Sequence, residues 1–388
     1  MHNHSQTYQV AIVGAGAVGL FLGICLEKAG ISCIILEKRK KVRKGSRSLG
    51  IHPVSLELFS KLDITDPFLR KGIHISKGHA FSNSKKLGTL SFEDDQAPYN
   101  FILALPQDTT ERTLQKELNT INPDILKRGA EVSSIAQDNE QATISYHYKG
   151  KAQTLCTDYV IGCDGKHSLV RQQMESSFEG YSYPDTYIMG DFEDNTDFGS
   201  DAAIFLCDEG LIESFPLPGQ KRRWVVKTKE YISSPTQVDI EKRVQHRINH
   251  SLKNTAPTML SSFGVQKMMA TPMVNSRIIL AGDAAHVVSP IGGQGMNLGW
   301  LGAWKLTQYL DCILNNNVAD CSSLKDFEHR HAKTARNCMR RTELNMRLGR
   351  RATFPVARNL LVTLMLKKPI SHLMAKLFTM RGVDRWII

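Results

Sequence analysis

The 388-residue sequence has eight cysteines (25, 33, 156, 163, 207, 312, 321 and 338), but no Cys-x-x-Cys pair and no close Cys/His cluster. That spacing excludes a zinc site and a dithiol redox centre. With no secretion signal, most of the cysteines are expected to be buried thiols rather than disulfides. No apolar run approaches the roughly 20 residues that span a bilayer. The polar stretch 1–9 lacks the apolar core of a secretory leader, so a cytoplasmic protein is expected. Internal repeats and low-complexity segments are absent as well. What remains is 41% hydrophobic and 22% charged, the balance of a globular chain long enough for two domains or one divided domain.

Net charge is concentrated at one end. The net charge is +11, yet residues 340–388 hold eleven Lys/Arg against only Glu343 and Asp384. The basic character therefore belongs to a tail and not to a nucleic-acid-binding body. Apolar clusters at 360–366 and 370–378 share that tail. Such segments either lie in a membrane interface with Lys367, Lys368 and Lys376 toward anionic headgroups, or form a helical pair packed on the rest of the chain with its bases solvated.

The residues 8–13 form a short apolar run that stops at Gly14. Helical spacing through Val18, Phe21, Leu22 and Leu26 follows, and residues 32–36 read as a second buried strand. This is a βαβ unit, which implies a parallel sheet. His52-Pro53 and Asp66-Pro67 open helices. Short strand-like pieces are expected around Asn83-Ser84 and Asp94-Asp95, and a helix over 109–118. Strands are expected at 131–135, 142–148 and 153–161, hairpins at 187–192, 202–207, 211–216 and 223–228, and a further buried strand at 277–281. A long helix spans about 294–314, and everything after 322 reads as helical, interrupted at Pro355 and Pro369.

Gly14-Ala-Gly16-Ala-Val-Gly19 leaves the first strand and opens the helix, while Glu37 ends the next strand. The first glycine permits the tight turn, the second lets a pyrophosphate approach the backbone, the third lets helix and strand pack closely, and the carboxylate accepts from a ribose. This context points to a dinucleotide without separating NAD from FAD. Two further segments leave strands through small-residue turns: Gly162-Cys-Asp164-Gly165 running on to Ser168 and Arg171, and Gly282-Asp283-Ala-Ala-His286 running through Pro290, Gly293 and Gly295 to Asn297.

Together the three motifs resemble the class A flavoprotein monooxygenases, the aromatic-ring hydroxylases built like p-hydroxybenzoate hydroxylase, over about residues 8–310. The resemblance implies non-covalent FAD with its ADP portion on Gly14, Gly16, Ala17, Val18 and Gly19, and its ribose on Glu37 beside Lys38. It places Arg47 and Gln107 near the flavin and its phosphates, and Asp283 at the ribityl or pyrophosphate region. Pro290, Gly293, Gly295, Met296 and Asn297 match the loop and helix start against the isoalloxazine, where the helix N-terminus would stabilise negative charge on the reduced ring. Asp164 matches a position associated with both FAD and NAD(P)H. Arg47 and Pro290 would position the flavin for catalysis. NADH or NADPH would act as a transient co-substrate, since no second Gly-x-Gly-x-x-Gly exists. No metal is implied.

The chain departs from the family in carrying Gly302-Ala303 where Asp-Ala is usual, and no counterpart of the thioredoxin-like C-terminal domain of larger relatives is expected. Plainer roles stand beside the functional ones: Asp164 and Asp283 as helix N-caps, Arg47 as one of a solvated basic run, and His286 as a structural histidine. Phe205, Phe215 and Trp224 lie on the hairpins of a substrate-side sheet, as pocket lining or as core.

The fold expected is α/β: a discontinuous Rossmann-like FAD-binding domain (1–75, 101–180 and 268–325), a β-sheet substrate domain (76–100 and 181–267), and a helical C-terminal segment (326–388). The implied reaction has NAD(P)H reduce FAD, O₂ add to the reduced flavin at C4a, and the terminal oxygen pass to a hydrophobic aromatic, polyketide, quinolone or quinone-like substrate. Two alternatives remain: an FAD-dependent reductase or dehydrogenase of an isoprenoid, and a non-catalytic flavin-containing ligand-binding protein. No carboxylate or histidine on the hairpins can be named as a substrate base.

Overall fold

The computed structural model describes residues 8–43, 45, 48–93, 97–252, 256–315 and 323–383. Its first sheet has the strand order Val274–Asn275, Ile278–Leu280, Lys151–Gly162, Tyr8–Val13, Cys33–Glu37 and Leu126–Arg128. From Ile278–Leu280 onward the neighbours in this order run parallel. The hairpin strands Glu131–Gln137 and Ala142–Tyr148 extend the sheet along Lys151–Gly162. Cys33–Glu37 is buried throughout, as a parallel strand covered on both faces must be.

The helix Ala17–Lys28 packs against Gln107–Ile121 and Gln294–Asn315. It buries residues on every side, so it is core and not an amphipathic cover. Its Phe21 meets Phe59 at 5.4 Å, and Phe59 meets Trp300 edge-on at 4.9 Å. The Trp300 indole N–H donates to the Ala17 carbonyl at 2.9 Å, which satisfies the polar end of a fully buried ring.

The second sheet follows the order His286–Val287, Met259–Thr271, Ser177–Glu193, Lys221–Thr228, Gly210–Leu217, Ala202–Cys207, Lys77–Ser82 and Lys85–Ser91. One face packs Ile188, Phe192, Phe205, Ile212 and Trp224 with Ile240 and Val244 of the helix Gln237–Ile248. Its other face packs Met189, Leu211, Val225 and Phe263 toward Ile291, Met346 and Val362. A small third sheet joins Gly50–Ile51, Ile102–Ala104 and Ile73–Ile75. The architecture is the expected α/β one with a helical C-terminal segment.

That segment comprises the helices Leu324–Gly349, Pro355–Met365 and Ile370–Phe378. Pro355 takes the first helical turn and Pro369 precedes the last helix, where a missing N–H costs nothing. Arg350, at the end of the long helix, donates from Nε to both Asp185 carboxylate oxygens at 3.0 and 3.1 Å, and Lys227 shares that carboxylate. Among the described residues, no helix is long and apolar enough to cross a membrane.

Several expectations change. Asn83 is not strand but the left-handed turn residue, φ 49°, of the hairpin between Lys77–Ser82 and Lys85–Ser91; Asp94-Asp95 lies outside the described residues. The helix Gln237–Ile248 went unread although it carries a capping box, in which Thr236 and Asp239 satisfy each other's backbone N–H groups. Cys312 is disulfide-bonded, an exception to the expected thiols. Cys25, Cys33, Cys207 and Cys338 are buried thiols, and Cys156 is an exposed one.

Candidate active site

Parallel pairing brings the three motifs to one edge. Val13 lies in register with Leu36 and with Gly162, and Gly162 with Leu280. The residues that follow these strand ends are Gly14, Glu37, Cys163-Asp164 and Gly282-Asp283. Backbone bonds lock the edge: Gly14 N–H to Leu36 O at 2.8 Å, Cys163 N–H to Val13 O at 2.8 Å, and Ala281 N–H to Gly162 O at 2.9 Å. The carboxyl ends of a parallel sheet are where such folds bind ligands.

The Gly-rich turn is closed on the protein side and open on the other. Gly14 has φ +105°, and a Cβ there would sit 2.5 Å from the Cys163 carbonyl oxygen. A Cβ on Gly19 would sit 2.0 Å from the Gly14 oxygen, whereas one on Gly16 would meet nothing within 4 Å. That open side is the space a pyrophosphate needs. Glu37 accepts from Ala15 N–H at 2.7 Å and from Arg39 N–H and Nε at 2.8 and 2.9 Å. Burial pushes its carboxyl up, but the Arg39 and Ala15 hydrogen bonds outweigh that and hold it below the ordinary value. Asp283 is reached by solvent yet ringed by protein. The resulting desolvation pushes its carboxyl up to about 6 despite Lys166. Gln294, fully buried at the start of the long helix, has an amide Nε2 with no acceptor among the described residues. An open cradle at Gly16, an acid at the end of the neighbouring strand and an orphaned donor at the start of the long helix all fit FAD.

Other motif residues hold the loops rather than face them. Both oxygens of Asp164 are engaged, by Ser168 Oγ at 2.6 Å and by the Leu169 and Val170 N–H groups at 2.7 and 3.2 Å, so its carboxylate caps the helix Leu169–Gln173. Arg171 was not singled out, yet it ties two motifs together. It donates to Ala284 O at 3.0 Å and to Lys166 O at 2.7 Å, and lies over the Phe178 ring. Asn297 makes four bonds: it accepts from His52 N–H and Ser55 Oγ, both at 2.8 Å, and donates to Gly50 O at 2.9 Å and Gly293 O at 2.8 Å. Gln107 donates to Glu111 at 2.9 Å and its backbone N–H to Ser48 O. Ala17 and Met296 are buried in the main core, Val18 packs against it, and Lys38 is exposed. Gly295 packs on Val288. Arg47 lies outside the described residues. His286 is buried and shares a 2.9 Å contact with His331; burial first, then His331, pushes it down to about 3, which suits a structural histidine.

A cavity of about 230 Å³ adjoins this edge. Pro290 to Gly293 form one wall, the second sheet another, and Val362, Leu366, Met374 and Phe378 of the last two helices the roof. Side-chain alternation along the strands decides what reaches it. Leu211, Glu213 and Phe215 point in from Gly210–Leu217, and Arg223 and Val225 from Lys221–Thr228. Phe205 and Trp224 are therefore corrected from lining to core: each falls on the odd step and packs on the opposite face with Phe198 and Ile240. Of the three aromatics, Phe215 alone lines the cavity.

Most of the lining is apolar, and its polar groups are few. Arg223 is clamped by Asp191 at 2.7 and 2.9 Å, and His79 pairs with Asp201 at 2.9 Å. His52 meets the Gly292 carbonyl at 3.1 Å, and burial pushes it down to about 4. Glu213 is different. The residue is 6% exposed, and among the described residues no hydrogen bond or cation offsets the desolvation that pushes its carboxyl up to about 8. Sequence reasoning missed it because a lone Glu in an apolar strand carries no motif; the signal available was its in-facing register with Leu211 and Phe215.

Comparison with known proteins agrees with this geometry. Residues 7–342 match the FAD binding domain family. The chain is 30% identical over 347 residues to the uncharacterized aromatic compound monooxygenase YhjG of Bacillus subtilis strain 168, covering 88% of this chain and 68% of that protein. It is 28% identical over 310 residues to pentachlorophenol 4-monooxygenase of Sphingobium chlorophenolicum, covering 76% of this chain and 57% of the relative. The fold of p-nitrophenol 4-monooxygenase PnpA from Pseudomonas putida DLL-E4 superposes with a TM-score of 0.88 at 18% identity, over 98% of this chain and 99% of that one. With its three motifs gathered at one sheet edge beside an apolar cavity, the chain belongs to the FAD-binding family of class A flavoprotein monooxygenases and is an FAD-dependent monooxygenase.

Proposed function

We propose that the protein hydroxylates or epoxidises a hydrophobic, hydroxyl-bearing aromatic or polyketide-like molecule, with NADH or NADPH as reductant and O₂ as oxidant. The observation that carries this reading is the cavity itself: apolar walls, the loop 290–293 on one flank and, among the described residues, a single carboxyl without a hydrogen-bond partner. In this reading the FAD unit comprises 1–75, 101–180 and 268–325, the substrate unit 76–100 and 181–267, and the segment 326–388 covers the cavity. Bound FAD supplies the electron transfer and oxygen activation that no side chain can perform.

The chain's own residues do the rest. Gly16 and Glu37 hold the dinucleotide, and Asn297 fixes the loop 290–293 to His52. The four roof side chains exclude water. Glu213 offers the substrate hydroxyl a hydrogen-bonding partner. Raised to about 8, its proton affinity is closer to that of a phenol, about 10, than an ordinary carboxyl's, so a proton shared between them moves at smaller cost. The test is oxygen consumption by the FAD-loaded enzyme with NADH or NADPH and a panel of apolar phenols, coupled to product mass. A product heavier by one oxygen atom supports the reading. Nicotinamide oxidation without O₂ uptake would point to a reductase of isoprenoid-type substrates, and tight ligand binding without turnover to a carrier.

A further inference from the structure

The helices Pro355–Met365 and Ile370–Phe378 are apolar on two sides. Inward, Arg358 and Val362 are buried and Val362, Leu366 and Met374 roof the cavity. Outward, Phe354 is 74% exposed, Val356 82%, Leu360 60%, Leu361 50%, Leu364 47% and Ile370 46%. A monomeric soluble surface rarely gathers so many large apolar side chains in one patch. Their spacing at 356, 360 and 364 makes one stripe along one helix face.

Charge identifies the occupant. Arg351, Lys367, Lys368 and Lys376 are all exposed around the stripe. Lys85 and Lys86 are exposed on the hairpin that packs against both helices, where Asn359 donates to Ser82 Oγ at 2.8 Å. No Asp or Glu occurs from 344 to 383. A second copy of the chain on this face would set one cationic rim against another. A nucleic acid would leave the apolar stripe in water. An anionic bilayer surface satisfies both, taking Val356, Leu360 and Leu364 below the headgroups and the lysines among them.

We propose that this two-helix face seats the enzyme on an anionic lipid surface. The cavity roof is then the inner side of the docking element, so an apolar substrate dissolved in the lipid meets the enzyme at the wall of its own cavity. Docking is independent of the oxygenation chemistry and can fail or hold without it. Each cation at an anionic surface contributes a factor of roughly five in partition, so four of them give binding that falls by orders of magnitude with screening.

The test is co-sedimentation of the FAD-loaded full chain with vesicles of phosphatidylcholine alone or with 30% phosphatidylserine, at low and high salt. Expected is binding to the mixed vesicles that drops at least tenfold at high salt or with phosphatidylcholine alone. Val356→Glu/Leu360→Glu should abolish it while FAD content and turnover of a water-soluble phenol stay at the parent level. Lys367→Glu/Lys368→Glu should weaken it at least tenfold. Folded parent protein that ignores both vesicles would overturn the proposal, as would binding that survives Val356→Glu/Leu360→Glu. A concentration-dependent dimer dispersed by Leu360→Glu would assign the face to a second copy and equally overturn it.

Discussion

Glu213→Gln should make the folded protein more stable, and more so as pH rises. Glu213 retains its proton in the folded chain up to about pH 8, whereas the same carboxyl ionises near 4.5 once exposed. Between those values the unfolded state releases a proton that the folded state keeps. Rising pH therefore draws the equilibrium toward unfolding, at up to about 1.4 kcal/mol per pH unit. Glutamine has the shape of the neutral acid and does not titrate. The stability difference between variant and parent should be small near pH 5 and grow by roughly 3.5 kcal/mol by pH 8. The groups around it are fixed in pairs or neutral: Arg223 with Asp191, His79 with Asp201, and Tyr187, whose buried hydroxyl has no partner among the described residues. Urea unfolding of both FAD-loaded proteins at about pH 5, 6, 7 and 8 measures the difference. Parallel curves, with a constant offset across that range, would refute the argument that Glu213 is buried without a counter-charge.

The gathering of the three motifs at one sheet edge was legible because each motif leaves a strand and turns through glycine or aspartate, so local spacing and parallel pairing give the same answer. The division of labour within the motifs was not. Asp164 and Asp283 have similar strand-end settings in sequence, yet Asp164 spends both oxygens on a helix start while Asp283 stays exposed to solvent. The difference is set by Ser168, Leu169 and Val170, whose donors lie within reach only once the chain turns back. The substrate side was less legible still. Phe205 and Phe215 are equally aromatic hairpin residues, and only the register of one strand on the next sends one toward Trp224 and the other into the cavity. The register of Glu213 with Leu211 and Phe215 gives only the face it lies on; that this face is enclosed depends on the roof, contributed by helices more than 140 residues away in the chain.

Further outcomes follow from the geometry. Gly16→Val should fold normally, because its Cβ meets nothing within 4 Å, yet lose FAD by occupying the phosphate position; full flavin occupancy after gel filtration would remove Gly16 from the site. Gly19→Ala should instead fail to accumulate folded, its Cβ lying 2.0 Å from the Gly14 oxygen. Phe215→Ala should change affinity for apolar phenols with little loss of stability, while Trp224→Ala should cost about 3–5 kcal/mol and leave the affinity of the surviving folded fraction unchanged. Asn297→Ala tests how the flavin loop is held. The side chain is fully buried and joins Gly293 to His52, Ser55 and Gly50 through four bonds. Its removal strands the His52 N–H and the Gly50 and Gly293 carbonyls, at roughly 1–3 kcal/mol each. Part of that loss can be recovered by letting the loop 290–293 relax away, so FAD affinity should fall along with stability, read by flavin fluorescence on dilution. Asn297→Asp keeps the two acceptor contacts but turns a buried carboxylate oxygen against the Gly50 and Gly293 carbonyls, and should be no better than the alanine variant in either measurement. If Asn297→Ala loses stability while FAD affinity is unchanged, the residue braces the core alone and the loop holds its flavin-side shape without it.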